Sequence, residues 1–179
     1  PPQARTAAIS RAVADVVASR PGAWQVAALL SADVPRRRAG LACSPRPAEA
    51  VRPGGGRRRV DGLLLAPLAP EHPDAWRFYN VAALRCAAER VHPGAPVLLR
   101  TQVSSDRLAA VARTFLEAIG SGRILAVKAG RGYDVLLGGP ESALAGSPAV
   151  VWTGLEAFCA SHPGVPVRLD EPASWSMRR

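Results

Sequence analysis

Residues 97–143 read VLLRTQVSSDRLAAVARTFLEAIGSGRILAVKAGRGYDVLLGGPESA, and this stretch decides the predicted fold. Three apolar runs of strand length lie at 96–101, 123–128 and 133–138. Between the first two runs, apolar residues recur at the spacing of an amphipathic helix. Ser104–Asp106 is a typical start for that helix, and Gly120 is a typical stop. The stretch therefore predicts a strand, a helix, a second strand and a hairpin that leads into a third.

The same alternation of helix and strand continues on both sides of this stretch. Helical patterns lie at 4–19, 73–91 and 154–161, and short apolar runs that predict strands lie at 24–30, 61–68, 149–152 and 165–169. Alternating strands and helices are typical of α/β domains, whose parallel strands are apolar because helices cover both faces of the sheet. We therefore expect one α/β domain with a mixed, mainly parallel sheet, helices on both faces and an Arg/Pro/Gly-rich insertion.

That insertion is the segment 34–60, which reads VPRRRAGLACSPRPAEAVRPGGGRRRV. It contains eight arginines and one acid, so it carries +7 of the chain's formal net charge of +9. Its prolines and its run of glycines disfavour both helices and central strands. We expect residues 1–33 to form the first helix and strand of the domain, residues 34–60 to form a basic flexible loop, and residues 61–179 to form the remainder.

The reactive side chains of the chain match no catalytic or cofactor motif. A P-loop ends in Gly-Lys-Ser/Thr, but the only lysine, Lys128, is followed by Ala129. The one conceivable zinc set, for which packing of buried cysteine is the favoured alternative, is Cys86, His92, Cys159 and His162. The apolar runs are much shorter than the ~18–20 residues of a membrane helix. We therefore expect no enzyme activity, no cofactor, no metal and no membrane partner.

The two arginine triplets of the segment 34–60 are the candidate contact residues. They are Arg36, Arg37, Arg38, Arg57, Arg58 and Arg59. Clustered arginines can contact phosphates or an acidic partner without reading a sequence. The segment has no aromatic residue, which disfavours stacking on single-stranded nucleic acid. An alternative is that these arginines are only solvated and reflect a GC-rich genome, since 22 arginines accompany one lysine.

The stretch 97–143 resembles the carboxy-terminal region of the alphaherpesvirus major immediate-early transcriptional regulators, the infected-cell polypeptide four family. A similar strand, long Ala/Leu helix and hydrophobic strand occur there in the same order. Residues 9–40, ISRAVADVVASRPGAWQVAALLSADVPRRRAG, and residues 73–94, PDAWRFYNVAALRCAAERVHPG, resemble the preceding segments of that family. The segments 41–62 and 153–179 depart from the pattern, so the resemblance does not define the last strand and helix.

The resemblance implies a nuclear viral protein that dimerises, binds DNA through a different domain and uses this region to contact the host initiation machinery. We therefore expect a non-catalytic interaction module of a viral transcriptional activator in the host nucleus. The expected partners are host general transcription factors, a second copy of the chain and, weakly and without sequence preference, DNA. The chain begins at Pro1 rather than at Met, which predicts a fragment of a longer protein.

Two other function classes remain open. An α/β enzyme would bind a nucleotide or phosphate at strand-end loops such as Gly130–Gly132 and Gly138–Pro140, since ligands of parallel sheets bind at the carboxyl ends of the strands. A direct nucleic-acid-binding domain would use the arginine triplets. The enzyme predicts a pocket with converging polar groups, whereas the nucleic-acid binder predicts strong dependence of its affinity on salt.

Overall fold

The computed structural model describes residues 2–28, 59–66, 79–145 and 152–167, with side chains from residue 7 to residue 25 in the first range. The helices are α1 (Pro2–Ser19), α2 (Val81–Ala88), α3 (Leu108–Ile119) and α4 (Leu155–Ser161), with a 3-10 helix at Glu141–Leu144. The strands are β1 (Trp24–Ala28), β2 (Gly62–Ala66), β3 (Val97–Ser104), β4 (Arg123–Ala129), β5 (Gly132–Gly139) and β6 (Thr153–Gly154). The predicted α/β fold class is therefore confirmed.

The six strands form one sheet in the order β1-β2-β3-β5-β4-β6. β1 pairs with β2, and β2 with β3, in parallel. β5 lies antiparallel between β3 and β4, and β6 is antiparallel to β4. The four strands β1 to β4 thus point one way and the other two point the opposite way, so the sheet is mixed, as the sequence predicts. Parallel pairing is limited to β1, β2 and β3, and the other three pairs of strands are antiparallel.

Helix α3 carries the chain from the end of β3 back to the start of β4. It ends at Gly120, whose φ of 90° is left-handed and whose N–H donates to the Leu116 carbonyl at the helix end. Glycine adopts this conformation without the steric cost that a Cβ imposes, so the predicted helix stop is confirmed. The chain then forms the predicted hairpin of β4 and β5, in which Gly130 also has a positive φ.

Apolar side chains on both faces of the sheet are covered by helices. Successive residues of a strand point to opposite faces, and Leu98 and Leu99 accordingly belong to different hydrophobic clusters. The cluster of Leu98 also contains Ile9 and Val16 of α1. The cluster of Leu99 contains residues from the other three helices, including Leu84, Phe115 and Leu155. Helices therefore pack on both faces, as predicted.

Two predicted helix boundaries are wrong. The sequence places the start of α3 at Ser104–Asp106, but β3 continues to Ser104, where it pairs with Gly132. The helix begins after Arg107, whose side chain does not cap it. The predicted helix at 73–91 is interrupted at Tyr79–Asn80, where Asn80 caps α2 by accepting a 2.8 Å hydrogen bond from the Ala83 N–H, and it ends at Ala88 rather than at 91. Its predicted start, at 73–78, lies outside the described residues.

The predicted strand at 165–169 is also wrong over its described part, 165–167. Pro166 has no N–H to offer a neighbouring strand. The segment instead lies against the helices, where the Val167 carbonyl accepts a hydrogen bond from the Val81 N–H across 3.0 Å. Of the predicted strand at 149–152, residues 149–151 lie outside the described ranges, and β6 follows at Thr153–Gly154.

Candidate partner-binding groove

A groove of about 250 Å³ opens at one end of the central strands, where β3 begins and β5 ends. Its walls are mostly apolar and come from four parts of the chain. The aliphatic side chains that line it are Ala88, Val91, Ala95, Val97, Ala118 and Ile119. The polar or charged residues around it are Arg59, Glu89 and His92. The groove therefore combines an apolar interior with a small number of groups that can select a partner by charge.

The end of α2 and the turn after it form the first wall of the groove. The helix ends at Ala88, and the chain then turns through His92–Gly94 into β3. The Ala95 N–H donates to the His92 carbonyl across 2.9 Å, and Gly94 has a φ of 77°, which favours glycine at that position. This turn leaves His92 exposed while Ala95 and Val97 are buried.

The opposite wall is the last turn of α3. Ala118 and Ile119 line the groove there, and Ile119 also packs against the main hydrophobic cluster. Pro140, which follows β5, completes this side. Because α2 and α3 both end here, the groove lies next to the carbonyl ends of two helices, where the helix dipoles are negative. An anionic group is thus disfavoured inside the groove.

The carboxyl end of the arginine-rich segment is attached to the first wall. Val60 and Val91 form an isolated parallel β-bridge. The Val60 N–H donates to the Arg90 carbonyl, and the His92 N–H donates to the Val60 carbonyl, each across 2.9 Å. These two bonds hold the neighbouring Arg59 at the rim of the groove, where its side chain is exposed.

Of the six predicted contact arginines, one can be placed. Arg36, Arg37, Arg38, Arg57 and Arg58 lie outside the described residues. Arg59 lies at the groove and is the last of three consecutive arginines. The apolar walls of the groove were not predicted, although the motif HPGAPV at 92–97 marks the turn that builds one of them.

A cluster of polar side chains lies at the other end of the central strands, where β3 ends and β5 begins. The Lys128 Nζ lies 4.6 Å from the centre of the Tyr133 ring, a cation–π geometry, and 3.4 Å from the Ser105 Oγ. Ser105 donates its hydroxyl to the Arg131 carbonyl across 3.0 Å. These polar groups satisfy one another, and they hold the β4–β5 turn against the loop that follows β3.

The two strand-end loops considered for a nucleotide site do not meet. Gly130–Gly132 lies beside the carboxyl end of β3, whereas Gly138–Pro140 lies beside its amino end, because β5 is antiparallel to β3. At roughly 3.4 Å per residue, the length of β5 separates them by ~24 Å. One ligand-binding site built from both loops is therefore excluded by the strand direction.

The cysteine and histidine residues of the conceivable zinc set do not come together in the described ranges. No group of three or more His, Cys, Asp or Glu side chains there is arranged to hold a metal ion. Cys159 is buried, and this burial raises the pKa of its thiol. Burial, together with the nearby charge of Glu89, raises the pKa of the Cys86 thiol. Both environments favour the neutral thiol over the thiolate that metals and electrophiles prefer.

No protein-family model matches the chain, and no curated protein matches it. The resemblance to the infected-cell polypeptide four family thus depends on the residues quoted above. None of the helices that the structure describes is long and apolar enough to cross a membrane.

Proposed function

We propose that the chain is a non-catalytic interaction module of a viral transcriptional activator, working in the host nucleus. In this proposal it contacts host general transcription factors, a second copy of itself, or both. The support from sequence is the resemblance of the stretch 97–143 to the infected-cell polypeptide four family. In the fold, residues 97–139 form β3, α3, β4 and β5, including the two longest strands within the described ranges.

The observation that carries the proposal is the attachment of the arginine-rich segment to an apolar groove. The bridge between Val60 and Val91 ends that segment at the groove wall and keeps Arg59 exposed at its rim. A protein partner offers both apolar side chains and carboxylates, so it matches the two features together. A nucleic-acid backbone offers phosphates, which match the arginines but not the apolar walls.

The experiment is a binding assay of the full 179-residue chain with a panel of purified general transcription factors, combined with light scattering. We expect saturable binding of at least one factor, or a dimer at micromolar concentration. A strictly monomeric chain that binds none of the factors would contradict the proposal. A variant with all six clustered arginines replaced by serine separates binding that depends on these arginines from binding by the rest of the surface.

Direct contact with nucleic acid is the second candidate, because six arginines cluster within a segment of net charge +7. It predicts that the affinity for duplex DNA falls steeply with salt, by roughly one unit of log-log slope for each phosphate neutralised. The same six-serine variant should lose most of that slope. If its slope equals that of the wild type, the arginines do not contact DNA.

A further inference from the structure

We propose that Lys128 is a modification site: its ε-amine accepts an acyl group from a thioester donor, and this acylation releases the β4–β5 turn from the loop that follows β3. The inference goes beyond the proposed function, because it concerns the chemistry of one side chain and holds whichever partner the chain binds. It is carried by the composition of the chain and by the contacts that Lys128 and Ser105 make.

Lys128 is the only lysine of the 179 residues, and the other 22 basic residues are arginines. A guanidinium stays protonated in proteins, so an arginine offers no amine nucleophile. An ammonium can lose a proton, and lysine is for this reason the usual target of acylation and related conjugations. Any modification of a lysine side chain in this sequence can therefore occur only at Lys128.

The contacts of Lys128 do not by themselves require a lysine. Its Nζ lies 4.6 Å from the centre of the Tyr133 ring and 3.4 Å from the Ser105 Oγ. Arginine makes both kinds of contact, and cation–π contacts in proteins involve arginine more often than lysine. In a chain that otherwise uses arginine, the lysine at this position supplies what arginine cannot, which is an amine that can be acylated.

Lys128 lies where an acyl donor can reach it. It is the second-last residue of β4, and its side chain is exposed. Gly130 and Arg131, which form the turn after this strand, are exposed as well. The donor therefore meets the amine at the protein surface, and the hydrophobic clusters of the domain need not open.

The acylation needs only a thioester as its co-reactant. The Lys128 ammonium first loses one proton to solvent. The amine nitrogen then attacks the thioester carbonyl carbon, a C–N bond forms, the C–S bond breaks, and the thiol leaves with one of the two amine protons. The product is a neutral amide, so the step removes one positive charge from the surface and involves no oxidation or reduction.

Loss of that charge weakens the contacts that hold the turn. The Ser105 hydroxyl accepts a hydrogen bond from Nζ and donates to the Arg131 carbonyl across 3.0 Å, so it connects the turn to the loop after β3. Acylation removes the cation from the Tyr133 ring and replaces three N–H donors by one. We expect the turn to open more often, beginning at the last pair between β3 and β5, Ser104 with Gly132.

The first test incubates the full 179-residue chain with a mammalian whole-cell extract and isotope-labelled acetyl coenzyme A, and locates the label by mass spectrometry of peptides. A histone-tail peptide in the same reaction shows that the acetyltransferases are active. We expect label at Lys128 and none at this position in Lys128→Arg, the control variant that keeps the positive charge. A labelled histone peptide together with an unlabelled Lys128 would overturn the modification site.

Hydrogen–deuterium exchange tests the release of the turn. The amides of residues 129–132 should exchange roughly two- to fivefold faster in the acetylated chain and in Lys128→Gln, which is neutral, than in the wild type. That factor corresponds to the loss of one cation–π contact at an exposed site. Lys128→Arg should exchange at the wild-type rate, and the buried residues Val135, Leu136 and Leu137 of β5 serve as an internal reference.

Two exchange results would overturn the release of the turn. One is equal exchange at residues 129–132 in the wild type, the acetylated chain and Lys128→Gln, which would show that the charge does not hold the turn. The other is an equal acceleration in Lys128→Gln and Lys128→Arg, which would assign the effect to the shape of the side chain. Neither result depends on whether the chain binds a transcription factor or a second copy of itself.

Discussion

The Val167 N–H donates a hydrogen bond of 2.9 Å to the Thr114 hydroxyl, joining two positions that are 53 residues apart. The same hydroxyl donates to the Ala110 carbonyl of its own helix across 2.7 Å. Because the Val167 carbonyl accepts from the Val81 N–H, the extended segment after α4 is bonded to both α2 and α3. One buried hydroxyl thus connects the last described segment to the helical layer.

Replacing Thr114 by Val should destabilise the protein by about 1–3 kcal/mol, because the Val167 N–H would remain buried without an acceptor. Urea denaturation, monitored by circular dichroism, measures the loss in the free energy of unfolding. Thr114→Ser is the matched control, since it keeps the hydroxyl and should retain most of the stability. A Thr114→Val variant as stable as the wild type would show that this bond contributes nothing.

The hydroxyl of Tyr79 should also stabilise the fold. It lies 2.6 Å from the Thr101 hydroxyl, in a region where both residues are buried. Tyr79→Phe should lower the free energy of unfolding by about 0.5–1.5 kcal/mol, the usual net contribution of such a bond.

The chain's other tyrosine provides the control for this measurement. Tyr133→Phe keeps the ring beneath Lys128 and removes only a hydroxyl on a partly exposed residue. We expect its free energy of unfolding to stay within about 0.5 kcal/mol of the wild type. Equal losses in the two variants would mean that burial of the Tyr79 hydroxyl is not the cause.

Close backbone packing should make Gly122 sensitive to any side chain. A Cβ at this position would overlap the Gly138 carbonyl oxygen of the neighbouring strand. Gly122→Ala should therefore cost about 1–3 kcal/mol, as overpacking usually does. At Gly154 a Cβ meets no atom within 4 Å and φ is −58°, so Gly154→Ala should change stability by less than about 0.5 kcal/mol. Thermal unfolding of the two variants side by side checks the contrast.

Burial of Cys159 should slow its reaction with alkylating reagents in the folded protein and should make the stability of the fold depend on pH. Burial raises the pKa of its thiol, although Arg113 opposes the shift. At a pH near the ordinary thiol pKa, the folded state therefore binds more protons than the unfolded chain, and stability should fall as the pH rises through that range. Below it, both states hold the neutral thiol, and this residue adds no pH dependence.

Alkylation with iodoacetamide, read by mass spectrometry of each cysteine, checks the first part of this prediction. Cys159 in the folded protein should react much more slowly than in urea, because both burial and the scarcity of thiolate protect it. Cys159→Ala should flatten the alkaline fall in the free energy of unfolding. An equal rate in folded and unfolded protein would contradict the buried position of the thiol.

Much of the fold follows from local sequence signals. The apolar spacing of residues 108–116 predicts α3, and Gly120 marks its end because the left-handed conformation favours glycine. The end of β3 was harder to predict, since Ser104–Asp106 has the composition of a helix cap. Pairing of Ser104 with Gly132 of the neighbouring strand β5 outweighs that local preference, and the sequence around Ser104 does not indicate this pairing.

The candidate site was predictable in its charge and in one turn, but not in its apolar walls. The arginine triplet that ends at Arg59 is visible in the sequence, and so is the turn at His92–Gly94. The bridge between Val60 and Val91 joins positions 31 residues apart, and no local pattern indicates it. Ala118 becomes part of the same groove because α3 ends beside that turn.

The sequence by itself determined most of the described helices and strands, and that the sheet is covered on both faces, because the spacing of apolar residues reports which side of each element is buried. The tertiary structure alone decided the strand order, in which β5 lies between β3 and β4. That arrangement places Gly130–Gly132 and Gly138–Pro140 at opposite ends of β5 and places Arg59 beside an apolar groove. Strand order depends on contacts between distant segments, which local periodicity does not encode.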